Sequence, residues 1–141
     1  MHAEIQWHDT VHFSARADSG HTVSIDGPPD AGGENRGVRP MELVLMGLGG
    51  CSSFDVVSIL TKSRQDIVDC LTRVDAERAE EVPHVFTRIH LHFRVTGRRL
   101  EAGKVARAVA LSAEKYCSAS IMLQRGGVEI THGYEIVEAG D

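Results

Sequence analysis

The 141-residue chain carries 15 Lys and Arg against 20 Asp and Glu, a net charge of −5, which argues against a nucleic-acid partner. At 42% hydrophobic and 25% charged it has an ordinary globular composition, and one domain spanning residues 1–141 is expected. Three scattered cysteines form neither a disulfide framework nor a C-x-x-C motif, and Met1-His2-Ala3-Glu4 has no basic-then-apolar leader, so a reducing cytoplasmic setting is expected.

The first 26 residues alternate as strands. Ile5 and Trp7, then Val11 and Phe13, then Val23 and Ile25 each alternate with polar neighbours, the pattern of a β-meander. From Asp26 to Pro40 the glycines and prolines predict a long loop, of a length that suggests a lid or an interface segment. Met41 to Leu60 holds twelve apolar residues in twenty, spread around the whole helical circumference, which predicts a buried helix. Glu42, Asp55, three glycines and three serines in that window speak against a membrane span.

Cys70 to Ala76 alternates, and His84 to Val95 does so strictly, with Val85, Ile89, Leu91, Phe93 and Val95 on one face and Phe86, Arg88, His90, His92 and Arg94 on the other. Glu101 to Cys117 reads as a helix, Ser118 to Leu123 as a second short one, and Val128 to Ile136 as a last strand or hairpin. The order βββ–α–ββ–α–β argues an α+β fold rather than an alternating parallel sheet.

Gly49 and Gly50 precede Cys51 in the middle of the apolar helix, where each glycine costs about 1 kcal/mol relative to alanine. They suggest a kink whose freed backbone N–H groups would favour a thiolate, the nucleophilic form of cysteine. Cys51 equally fits as a small apolar filler. Cys117 follows 66 residues later, and two helices carrying one cysteine each can bring their thiols within bridging distance. Cys70 reads as a core thiol. His90 and His92 share a strand face, but Arg88 and Arg94 beside them favour a polar face over a metal site. With no phosphate loop, G-x-S-x-G elbow or dinucleotide fingerprint, no cofactor and no metal are expected.

The run from Arg39-Pro40-Met41-Glu42-Leu43 through Gly49-Gly50-Cys51-Ser52, with Ala113-Glu114-Lys115-Tyr116-Cys117-Ser118 downstream, resembles the OsmC/Ohr family, specifically its small OsmC-like bacterial branch, over essentially the whole chain. The resemblance implies two central helices, one long and buried and carrying Cys51, wrapped by antiparallel sheets in an intertwined homodimer with active sites at the interface. It also implies thiol peroxidase activity toward organic hydroperoxides, in which Cys51 is oxidised to a sulfenic acid, Cys117 resolves it as a disulfide, and a dithiol reductant restores both.

Three positions depart from the family pattern. Met41 stands where the peroxidases carry a glutamate, leaving Glu42 one position later. The family arginine maps nearest to Arg16, with Arg36 and Arg39 as rivals. Ser118 replaces the proline after the resolving cysteine. The competing expectation is a ligand-binding or redox-sensing module on the same fold with little or no peroxidase activity.

Overall fold

The computed structural model describes residues 1–140, which form two compact units, Met1–Val44 and Leu45 onward. In the first unit β1 (Ala3–Asp9), β2 (His12–Ala17) and β3 (Thr22–Ile25) form an antiparallel meander in that order, as the alternation predicts. The loop that follows is locked rather than loose. Asp26 is buried, and its carboxylate accepts from the backbone N–H groups of Gly27, Glu34 and Arg36 and from Arg36 Nε, all within 3.1 Å. The Arg36 guanidinium also grips Asp9 at 2.7 Å. Burial pushes the Asp26 carboxyl up, but the Arg36 side chain and the three backbone donors outweigh it and hold the group well below the usual carboxylate range. Gly33 lies so close to the Gly27 backbone that any side chain there would collide with it. Val38 closes the loop by pairing in parallel with Ile25.

α1 (Pro40–Lys62) begins where the sequence indicates: proline is favoured in the first helical turn, and Glu42 Oε1 accepts the Arg39 N–H at 2.8 Å, half of a capping box. The helix runs through Gly49-Gly50 without interruption, so it does not restart at Cys51. Gly49 is buried, and a Cβ there would stand 3.0 Å from Val74 Cγ2, so the glycine serves a close helix–strand approach. On length and apolarity α1 could cross a membrane, yet Leu48, Ser52, Val56 and Leu60 are buried within the second unit. Complete burial, expected from its all-round apolarity, is not reached within one chain. Only 28% of its most apolar window is covered, and Met46, Phe54 and Val57 remain exposed.

β4 (Asp66–Arg78), β5 (Phe86–Arg98) and β6 (Glu129–Glu138) make a second three-stranded sheet with β5 in the middle. β4 and β5 are antiparallel, but β6 runs parallel to β5. The expectation of purely antiparallel sheets therefore fails at β6, because the helical segment between β5 and β6 carries the chain back as a crossover. Ile89, Leu91, Phe93 and Val95 of β5 are buried as predicted, each full burial stabilising the fold by about 1.5–3 kcal/mol.

Phe86 and Val85 exchange the faces expected of them: Phe86 is buried and Val85 exposed. A bulge at Thr87, between the pairs Glu77–Arg88 and Arg78–Phe86, inserts one residue and inverts the alternation. α2 (Ala102–Leu111) buries Val105, Ala108 and Val109 along one stripe. It then widens into a π turn over Ser112–Tyr116, breaks at Cys117 in an extended conformation, and restarts as α3 (Ser118–Arg125).

Candidate redox site

Within the second unit the two cysteines singled out in the sequence meet. Cys51 sits midway along α1, part-buried, and Cys117 caps the start of α3, fully buried. Both are free thiols, and with a carboxylate oxygen of Asp55 their sulfur atoms form a cluster in which every pair lies within 4.8 Å.

The local sequence explains each placement. Asp55 lies four residues after Cys51, hence on the same face of α1 one turn on. The π turn ends with the Cys117 N–H donating to the Ser112 carbonyl at 2.9 Å, which puts the Ser112 side chain beside α1 and Cys117 at the break. Ser112 Oγ donates toward the Ser52 carbonyl at 3.2 Å and Asp55 Oδ2 at 3.3 Å. The Cys117 Sγ is 3.1 Å from Ser52 Oγ and accepts the Ser120 N–H at 3.4 Å.

The electrostatics separate these groups. Burial pushes the Cys117 thiol up; the Ser52 hydroxyl and the Ser120 N–H draw it partly back, and the neighbouring Cys51 pushes it up again. Burial likewise pushes the Asp55 carboxyl up, with the Ser112 hydrogen bond opposing. The freed N–H groups expected at Cys51 are absent because α1 does not break there.

Glu42, Arg36 and Arg39 have partners of their own. Glu42 caps α1. Arg16 sits on β2 opposite Glu4 and lines a polar surface pocket with His2 and Asp18 in the first unit. Arg36 is committed to Asp9 and Asp26, and Arg39 donates to Asn35 Oδ1 at 2.9 Å. Cys70, read as a core thiol, is only half-buried. It opens onto a groove of about 490 Å³ along α1 that Phe54, Val57 and Thr61 also line, and burial pushes its thiol up. His90 and His92 lie side by side with ring centroids 6.4 Å apart, His90 meeting Thr131 Oγ1 at 2.7 Å and His92 facing Glu135.

Among the described residues, Cys51, Asp55 and Cys117 are the one group of His, Cys, Asp and Glu whose donor atoms converge enough to share an ion. Asp55 is the member to which sequence reading gave no role in the site: it registers as a charge against membrane insertion and within the segment Asp55–Leu60 that shares the family resemblance, although its four-residue offset from Cys51 was the available signal.

Residues 32–133 match the family model described as OsmC-like protein. The chain is 52% identical over 139 residues to Protein YhfA of Escherichia coli K12, covering 99% of this chain and 100% of that protein. A hypothetical protein from Aquifex aeolicus VF5 superposes with a TM-score of 0.85 at 27% identity, over 99% of this chain and 97% of the other. At 19% identity, an organic hydroperoxide resistance protein OsmC from Legionella pneumophila shares the fold, with a TM-score of 0.70 over 94% of each chain. With a family match over residues 32–133 and a relative at 52% identity along nearly its full length, the chain belongs to the OsmC-like protein family.

Proposed function

We propose that this protein is a thiol-dependent peroxidase that reduces organic hydroperoxides through Cys51 and Cys117. The observation that carries the reading is the meeting of two free thiols, one part-exposed and one fully buried, from positions 66 residues apart. The described hydroperoxide resistance of the Legionella pneumophila neighbour supports it. The Cys51 thiolate attacks the outer peroxide oxygen, the O–O bond breaks, and the alcohol leaves with a proton, giving a Cys51 sulfenic acid. Cys117 then attacks the Cys51 sulfur, a disulfide forms, and the sulfenic oxygen leaves as water. A dithiol reductant returns both thiols and is itself oxidised to a disulfide. The reaction needs no metal or organic cofactor, and a reducing cytoplasm would keep the pair in its starting state.

We infer a homodimer as the working form. The apolar residues Met46, Phe54 and Val57 on the uncovered face of α1 favour a second copy as their cover.

The competing reading, a ligand-binding or redox-sensing module, draws on the apolar groove that ends at Cys70. One experiment decides between them. One equivalent of an organic hydroperoxide is added to the fully reduced protein, quenched within seconds, and the thiols are mapped by mass spectrometry. Loss of two hydrogens with a Cys51–Cys117 cross-link is expected; thiols left unmodified after minutes would overturn the peroxidase and favour the binding module.

A further inference from the structure

We propose that Asp55 is the proton carrier of the disulfide-forming step, taking the proton of the Cys117 thiol and delivering it to the oxygen that leaves Cys51. The inference rests on the peroxidase reading and deepens it at the same site. Three observations carry it. The Asp55 carboxylate shares one cluster with both sulfur atoms, every pair within 4.8 Å, a spacing that one water molecule bridges and that apo sites commonly tighten during reaction. Its only hydrogen-bond donor among the described residues is Ser112 Oγ, so its other oxygen is uncommitted. The third is chemical: Cys117 is fully buried and its thiol is pushed up, so it reacts poorly until some neighbour takes its proton.

The step balances without a further reactant. Cys117 loses a proton to the Asp55 carboxylate and its sulfur bonds to the Cys51 sulfur. The Cys51 S–O bond breaks, and the departing hydroxide takes the proton from Asp55 and leaves as water. Asp55 ends as it began. Ser52 and Ser112, also at the cluster, are neutral hydroxyls that hold Cys117 and Asp55 in place through hydrogen bonds and store no proton.

The test separates the two oxidation steps. Reduced wild type and Asp55→Asn are mixed with tert-butyl hydroperoxide; Cys51 sulfenic acid is trapped with dimedone, and disulfide and sulfinic acid are counted by mass spectrometry. Asp55→Asn should form the sulfenic acid at a rate within about threefold of wild type and close the disulfide about 100-fold more slowly, the scale of general acid–base catalysis. The dimedone adduct and the sulfinic acid should accumulate accordingly.

In Asp55→Ala, which vacates the carboxylate's space, added formate should restore closure in proportion to its concentration, a response that a purely structural role would not give. Closure at the wild-type rate in Asp55→Asn, equal slowing of both steps, or no formate response in Asp55→Ala would each overturn the role of Asp55 while leaving the peroxidase standing. A wild type that yields no sulfenic acid would instead remove the peroxidase reading beneath it.

Discussion

Two aspartates in the two units show how differently a fold can use the same side chain. Asp26 is surrounded by four donors, three backbone N–H groups and Arg36, and its carboxyl is held well below the usual range. Asp55 is partly buried beside two thiols with, among the described residues, a single hydroxyl donor, and its carboxyl is pushed up. The first is an ionised hub whose partners are all satisfied, which is how a charge stabilises a loop. The second is a carboxylate left short of partners, the condition under which a side chain stays free to exchange protons. The contrast is between a carboxylate whose donors hold it ionised and one that burial disfavours in its charged form.

The largest effect that sharpens this contrast is expected at Cys51. If the reactive group belongs to the under-satisfied cluster, Cys51→Ser should lower peroxide consumption by about 10³-fold or more, the scale seen when an enzyme loses its nucleophile. The thermal midpoint should stay close to wild type. Peroxide consumption that survives the substitution would move the chemistry elsewhere.

Stability should separate the two aspartates with opposite signs. Asp26→Asn removes the charge that Arg36 and three N–H groups surround, and should lower the thermal midpoint at pH 7 by about 5–10 °C. The folded carboxyl lies below its unfolded value near 3.8, so its contribution is complete above that value and is lost as the pH falls through the depressed folded one. The deficit of the variant should therefore shrink in acid.

Asp55 works the other way. Its folded carboxyl lies above 3.8, so ionisation opposes folding at neutral pH, and that cost disappears below the unfolded value. Asp55→Asn should raise the midpoint at pH 7 by a few degrees and lose that advantage toward pH 4. A drop at pH 7 would mean that Asp55 is a structural hub like Asp26, and the contrast would break.

How much of this was open to sequence reading depends on the kind of signal. Helix α1 carries a proline start and apolar residues all round its circumference, and the sequence of β5 alternates, so both elements are legible. The bulge at Thr87 is not, because one inserted residue leaves no compositional trace while reversing the faces of Val85 and Phe86. The parallel pairing of β6 depends on the path of the chain through α2 and α3, which alternation along β6 cannot encode. Gly49 was legible as unusual and misleading in its meaning, since the reason for a glycine there is Val74, on another element. The Cys51–Cys117 pair followed from family resemblance rather than spacing, whereas Asp55 needed only a helical wheel. The Asp26–Arg36 hub spans ten residues of loop, where no periodicity operates.

The smallest effect tests the boundary between the two kinds of site, at Ser52. Its hydroxyl is the strongest group opposing the effect of burial on the Cys117 thiol, so the thiol is held between satisfaction and reactivity. In a protein whose only remaining cysteine is Cys117, made by Cys51→Ser and Cys70→Ser, the ultraviolet absorbance of the thiolate should appear at higher pH once Ser52→Ala is added. The direction follows from the loss of a hydrogen bond that favours the charged form while burial remains. With Cys51 present, Ser52→Ala alone should slow disulfide closure by about two- to fivefold, the worth of one hydrogen bond of roughly 0.5–1 kcal/mol. A titration that moves downward instead would mean that Ser52 stabilises the neutral thiol, and that the hydroxyl holds Cys117 in reserve rather than preparing it to react.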